Sequence, residues 1–241
     1  MALIARVLDF ETTGFPENEA AEIIEYGFVD VDLAGRFIID GSARQGLRKP
    51  MGAIPPETSA VHHFVAADFE DAPGHVEMTK TLAGGLAEDD IYVAHNAAFE
   101  QHFYSKRPQP WICTLKCAYR AWPEAPGHNN QTLRYWLGLD LDPAQAMPPH
   151  RALPDAYVTA HIFQRLLELR PVERLVEISK EPGFLPRMNF GKYRGKSFKE
   201  VAQTDRGYLS WIVDKSDMDS DVKFTANWWL RRGPDASGDA Q

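Results

Sequence analysis

Residues 3–14 read LIARVLDFETTG. The run 3–10 is apolar on both faces, as a central strand of a covered sheet is. Asp9 and Glu11 stand two apart, so on a strand both carboxylates point to the face shared by Ala5 and Val7. Two acids at the end of a buried strand carry a large desolvation cost and repel each other. A cation relieves both, and a donor set made only of oxygen favours a hard ion such as Mg²⁺ or Mn²⁺. Taken alone, the pair fits equally well a strand that simply runs out into solvent. Thr12, Thr13 and Gly14 suit a turn at which backbone approaches a ligand closely.

Outward from this strand, EIIEYGFVDVD (22–32) and RFIID (36–40) read as the next two strands, joined by a turn at Ala34-Gly35. A Pro-rich loop follows over 49–64. A helix is expected over about 75–87, a strand over 91–94 and a helix over 97–106. TLRYWLGL (132–139) predicts a short helix. Residues 155–169 predict a longer one with Val158, Ile162, Phe163, Leu166 and Leu169 inward. VERLVEIS adds a further helical piece, KEPGFLP (180–186) is the best linker, and a small second unit spans 187–230. The order of elements predicts an α/β fold, a mixed sheet flanked by helices over 1–179 with a small C-terminal module. Residues 231–241 should form a disordered tail.

The chain of 241 residues carries a net charge of -8 with a pI near 5.5, so bulk charge does not advertise a nucleic-acid partner and any such contact must come from a local patch. Two cysteines, Cys113 and Cys117, exclude a disulfide scaffold and suggest a reducing compartment; four apart, they are too few for zinc and read as buried or free thiols. Acids at 9 and 11 come too early for a signal peptide, and no apolar run approaches the roughly 20 residues of a membrane span. A soluble cytoplasmic protein without membrane partners is expected.

Two further stretches hold chemistry. In IYVAHNAAFEQHF (91–103) an apolar strand stops at His95-Asn96 and one carboxylate, Glu100, follows in the next helix. In HRALPDA (150–156) Asp155 opens a helix whose neighbours at helical spacing face inward, and His150 precedes it on a loop. Singly, Asp155 would be a helix cap and His150 a solvated side chain. Together with Asp9, Glu11 and Glu100 they make an acidic cluster that is hard to explain without cations. Two ions held about 4 Å apart by carboxylates are the usual device for displacement at phosphorus. A neutral imidazole beside them can act as general base.

DFETTG, AHNAAFE and HRALPDA, in this order and spacing, resemble the three motifs of the DEDD exonuclease superfamily. A His five residues before the last Asp, with Arg at 151, resembles the DEDDh branch. The likeness covers about residues 4–169. PWICTLK (110–116) and FGKYRGKSFKEVA (190–202) resemble text in one group of these enzymes and carry it into the C-terminal unit. The resemblance implies a ribonuclease H-like fold and 3′→5′ hydrolysis of DNA to nucleoside 5′-monophosphates, with two Mg²⁺ or Mn²⁺ per site. It implies metal ligation by Asp9, Glu11, Glu100 and Asp155, proton transfer to His150, and nucleotide contacts at Thr12, Thr13, Phe15 and Asn96. Asn96 could equally cap the helix behind it. The family's second motif ends in Asp where this chain has Glu100, an extra methylene worth about 1.5 Å of reach. Metal-ligand distances tolerate only about 0.2 Å, so the side chain folds back, the helix shifts or a water bridges.

Phe15 could stack on a terminal base or pack as a loop aromatic. His62 and His63 stand where related enzymes have a substrate-side loop, and either could be structural; His95 packs near the site. From Arg187 to Lys199 there are five basic residues and no acid. On an extended chain Lys192, Arg194 and Lys196 would share one side, interleaved with Phe190, Tyr193 and Phe198, as in a nucleic-acid surface. Tyr208 and Trp211 would build a small aromatic core, capped by Trp228-Trp229. Two alternatives stand beside DNA hydrolysis. The substrate could be RNA, since nothing in the motifs reads a 2′-hydroxyl. Or the chain could bind nucleic acid with a catalytic centre weakened by Glu100.

Overall fold

A computed structural model describes residues 3–105 and 107–232. β1 (Ile4–Thr12) lies at the centre of a six-stranded sheet. It pairs antiparallel with β2 (Ile23–Asp32). β2 in turn carries two short antiparallel strands, β3 (Phe37–Ile38) and β4 (Arg44–Leu47). On its other side β1 runs parallel to β5 (Ile91–Ala94), and β5 to β6 (Trp111–Cys113). The mixed order is β3-β2-β1-β5-β6, with β4 also on β2.

The helices are α1 (Pro56–His62), α2 (His75–Ala83), α3 (Ala97–Phe103), α4 (Thr114–Ala121), α5 (Asn130–Trp136), α6 (Pro143–Ala146), α7 (Ala152–Leu169) and α8 (Val172–Lys180), then α9 (Phe198–Thr204), α10 (Arg206–Lys215) and α11 (Ser220–Arg232). Ala5, Val7, Val29, Val31 and Val93 face one core, shared with Val158, Ile162, Phe163 and Leu166 of α7. Leu8, Phe10, Tyr26, Phe28 and Tyr92 face the other, against Met78 and Leu82 of α2. Strand alternation thus buries both faces, which is why β1 reads as a continuous apolar run. Its one cation, Arg6, is 4% exposed and fully engaged: it forks onto Asp30 at 2.8 Å, donates to the carbonyls of Leu82 and Gly84, and lies over the Phe28 ring. Helices flank the sheet on both sides. No helix among the described residues is long and apolar enough to cross a membrane.

Gly27 of β2 sits opposite Asp9. A Cβ there would overlap the backbone of Ala152 and Leu153, so the first turn of α7 rests directly on bare main chain.

Several sequence expectations are corrected. β4, β6, α1 and α4 are additional elements, and the helices expected to reach 87 and 106 end at Ala83 and Phe103. α1 lies inside the Pro-rich loop, with Pro56 in its first turn, where a missing N–H costs nothing. α7 opens at Ala152, so Asp155 is in the first turn and not at the cap. Leu169 is exposed rather than inward. The C-terminal helices pack around Phe198, Val201, Leu209, Ile212, Ala226 and Trp229, and draw in Phe184 from the expected linker. KYRGK is not an extended strand: Gly191–Tyr193 form a 3-10 turn. Lys192 pairs with Asp205 at 3.0 Å and Lys196 lies 3.6 Å from Glu200. Of the expected tail, 231–232 belong to α11 and 233–241 lie outside the described residues.

Candidate active site

Asp9 and Glu11 leave the C-terminal end of β1 on the face that carries Ala5 and Val7, toward α7. The first turn of α7 brings Asp155 to meet them. One carboxylate oxygen from each of the three lies within 4.8 Å of the others. Asp155 is held from two sides: Oδ2 accepts the His150 backbone N–H at 2.7 Å, and Oδ1 accepts from Gln131 Nε2 at 3.2 Å. His150 has φ +61, a left-handed kink in the loop preceding the helix. The kink spends its amide on Asp155, while its side chain stays exposed. Asn130 ties α5 to the same helix through the Asp155 carbonyl and Thr159 Oγ1.

Glu100, from α3, is 4% exposed, and its Oε2 has no hydrogen-bond partner. It stands outside the three-acid set but within electrostatic reach of Asp9. Burial, then the charges of Asp155, Glu11, Glu100 and Glu25, hold Asp9 well above the usual carboxylate range. Burial, then Asp155 and Glu25, push Glu11 to about 8, with Arg151 opposing. Burial, with Glu11 adding, pushes Glu100 to about 8. Asp155 is raised by burial despite its hydrogen bonds. An all-oxygen donor set, mutual repulsion among buried acids and an orphaned carboxylate oxygen together fit hard divalent cations.

A carboxyl near 8 in the folded chain and near 4.5 when free keeps its proton on folding across that window. The folded state then binds more protons than the unfolded one, so stability falls as pH rises through the window and levels off above it. Metal-free protein should therefore show a thermal midpoint that declines from about pH 4.5 to about 8, and Mg²⁺ should restore it by binding the ionised cluster. Circular-dichroism melts in chelator and in Mg²⁺ would show this; a flat midpoint would remove the basis for a strained acidic cluster.

Four contributors escaped sequence reasoning. Glu25 faces Glu11 across the β1/β2 ladder and is 1% exposed. It accepts the Arg151 guanidinium at 2.7 Å and the Ala152 N–H at 3.0 Å, locking the start of α7 to the sheet. Arg151 also lies over the Phe64 ring. The only sequence signal for Glu25 was a charge alternating into an apolar strand. Gln131 and Asn130 had no signal at all.

The remaining candidates divide. Thr12, the last residue of β1, and Thr13, just after it, are buried; Thr12 Oγ1 donates to the Gly14 carbonyl and Thr13 Oγ1 accepts the Glu22 N–H. Phe15 follows, 74% exposed. Asn96 is exposed at the β5/α3 junction and makes no side-chain cap, so the capping alternative is not realised. His95 is clamped between Thr114 Oγ1 at 2.9 Å and the His128 carbonyl at 2.6 Å, and burial lowers it to about 4. His62 is buried and accepts the Phe64 N–H on Nδ1; His63 is exposed and ends α1 in the left-handed region at φ +64. Cys113 and Cys117 are buried free thiols. Lys192, Arg194 and Lys196 lie on the C-terminal module, not among the acids.

The Exonuclease family profile matches residues 7–163, and the Exodeoxyribonuclease X-like C-terminal profile matches 188–217. Exodeoxyribonuclease 10 of Escherichia coli strain K12 is 31% identical over 228 residues, covering 93% of this chain and 98% of that protein. The DNA polymerase III subunit epsilon-like protein of Rhodobacter capsulatus is 31% identical over 169 residues, 67% of this chain and 23% of that one. Among solved structures, exonuclease X in complex with 5′ overhanging duplex DNA superposes with a TM-score of 0.60 at 30% identity, over 73% of this chain and 99% of that chain.

Proposed function

Because this chain belongs to the DEDD exonuclease family and is a homologue of exodeoxyribonuclease X, we propose that it is a divalent-metal-dependent 3′→5′ exonuclease that releases nucleoside 5′-monophosphates from DNA ends. The observation that carries this reading is the meeting of Asp9, Glu11 and Asp155 beside the kinked His150 loop. Asp9, Glu11, Asp155 and Glu100 would hold two Mg²⁺ or Mn²⁺. When bound, such ions lower the pKa of water and stabilise charge on the leaving oxygen.

The chain's own groups do the rest. His150 takes the proton of the attacking water: its backbone N–H anchors the loop on Asp155, and its side chain is exposed beside the acids. Gln131 fixes the other oxygen of Asp155. The backbone of Glu11, Thr12 and Thr13 cradles the terminal nucleotide, exposed Phe15 stacks on its base, and Asn96 reaches the chain beside the scissile phosphate. The partnerless, buried Oε2 supports Glu100 as a ligand of the second ion, directly or through water, and argues against a weakened centre. The biological setting we assign is end trimming in DNA repair.

End-labelled DNA and RNA of one sequence, incubated with Mg²⁺ and then with chelator, test the reading. Stepwise mononucleotide release from DNA that chelator abolishes is expected. Release that survives chelator, or preference for RNA, would overturn it.

A further inference from the structure

Two clefts open where the C-terminal module meets the sheet domain. The larger, about 1060 Å³, is lined by Arg120, Arg170 and Arg174 on one wall and by Arg187 and Lys199 on the other. The smaller, about 590 Å³, runs past Arg187 and Arg194 to His95, His128 and Asn129. They share Tyr119, Leu185, Pro186 and Arg187 and so form one groove. Its inner end adjoins the active site in the chain: Asn96 follows His95, and Gln131, two residues beyond Asn129, holds Asp155.

The charge of this groove is unlike that of the rest of the protein. The chain carries a net -8, yet neither cleft is lined by a carboxylate. Elsewhere on the module, cations are consumed locally: Lys192 by Asp205 and Lys196 by Glu200. At the groove Arg120 is paired with Glu181 and Arg174 with Glu177. Arg170, Arg187, Arg194 and Lys199 have no carboxylate partner among the described residues, and the last three are exposed. Four cations facing a concave wall repel one another unless a polyanion is seated there. Tyr119, half-buried where the clefts join, offers a ring to an unpaired base, which a duplex would hide.

We propose that this groove carries the single-stranded stretch of DNA that leads to the carboxylate cluster, its phosphates engaged by Arg170, Arg187, Arg194 and Lys199. The inference rests on the exonuclease reading. It also moves nucleic-acid binding on the module from the one-sided KYRGK face to the seam between the two units.

The probe is fluorescent oligothymidylate of about 4, 8 and 16 nucleotides, bound in chelator so that turnover plays no part. Affinity of the wild type should rise with length. R170Q/R187Q/K199Q should weaken binding of the longest probe by at least about tenfold, and should reduce the salt dependence by about 2 in log-log slope, since each single-strand phosphate contact contributes about 0.7. K80Q/R165Q/K215Q removes as many charges away from the groove and should leave the slope unaltered. Should the triple variant fold poorly by circular dichroism, K199Q alone, at an exposed site, should still lower the slope by about 0.7. An unchanged slope in a folded groove variant overturns the proposal, as does an equal loss in both triple variants. Blunt duplex losing as much affinity as the single strand overturns the single-strand assignment. Failure of the exonuclease reading is seen separately, as absent Mg²⁺-dependent cleavage of the same probe.

Discussion

Asp9→Asn should lower turnover on a DNA end by at least about 10³-fold, the scale of losing a preorganised charge at the reacting centre. The same substitution should raise the thermal midpoint of the metal-free protein. Both effects have one origin. Asp9 is the acid most crowded by others, with Asp155, Glu11, Glu100 and Glu25 all raising it on top of its burial. Removing its charge relieves repulsion in the absence of cations and removes a proposed ligand in their presence. Stability and activity therefore move in opposite directions, as expected where a strained site serves function. Melts with and without Mg²⁺, alongside single-turnover assays, separate the two. A variant less stable in chelator than the wild type would mean that Asp9 holds the fold together, and the charge-strain account would fail.

His150→Asn should reduce kcat by about 10²–10⁴-fold, the usual range for loss of a general base. Asparagine tolerates the left-handed backbone that His150 adopts at φ +61, and its amide can still reach Asp155 Oδ2. The proposed metal ligands are then undisturbed. Stabilisation by Mg²⁺ should be that of the wild type, and KM should change little. If Mg²⁺ no longer stabilises the variant, His150 acts by holding Asp155 and not by moving a proton.

The central strand, the placement of Asp9 and Glu11 on one face, and the inward helix bearing Asp155 were legible because each is a short-range pattern: a two-residue alternation or a helical repeat. What was not legible depends on partners distant in sequence. β4 has no apolar alternation of its own and exists through pairing with β2. α1 hides behind two prolines that suggest a loop and in fact begin a helix. The Glu25–Arg151 bridge joins residues that only the packing of α7 on the sheet brings together. The KYRGK motif misled because alternation of charge was taken for an extended chain. Gly191, at φ +58, turns that chain, and Asp205 and Glu200 take up two of its cations. Glu100 was legible as a motif position; its orphaned oxygen was not.

The bare backbone at Gly27 has a consequence for how the site tolerates change. Helix α7 meets β2 main chain to main chain there, at the residue paired with Asp9 across the β1/β2 ladder. The gap between the strand carboxylates and Asp155 is thus gauged by peptide thickness, without any side chain as a spacer. Rotamer shifts and volume changes elsewhere in the core can be absorbed without altering that gauge. The spacing on which cation coordination depends is in this sense insulated from drift in the hydrophobic sequence around it. The insulation is concentrated at a residue that bears no functional group.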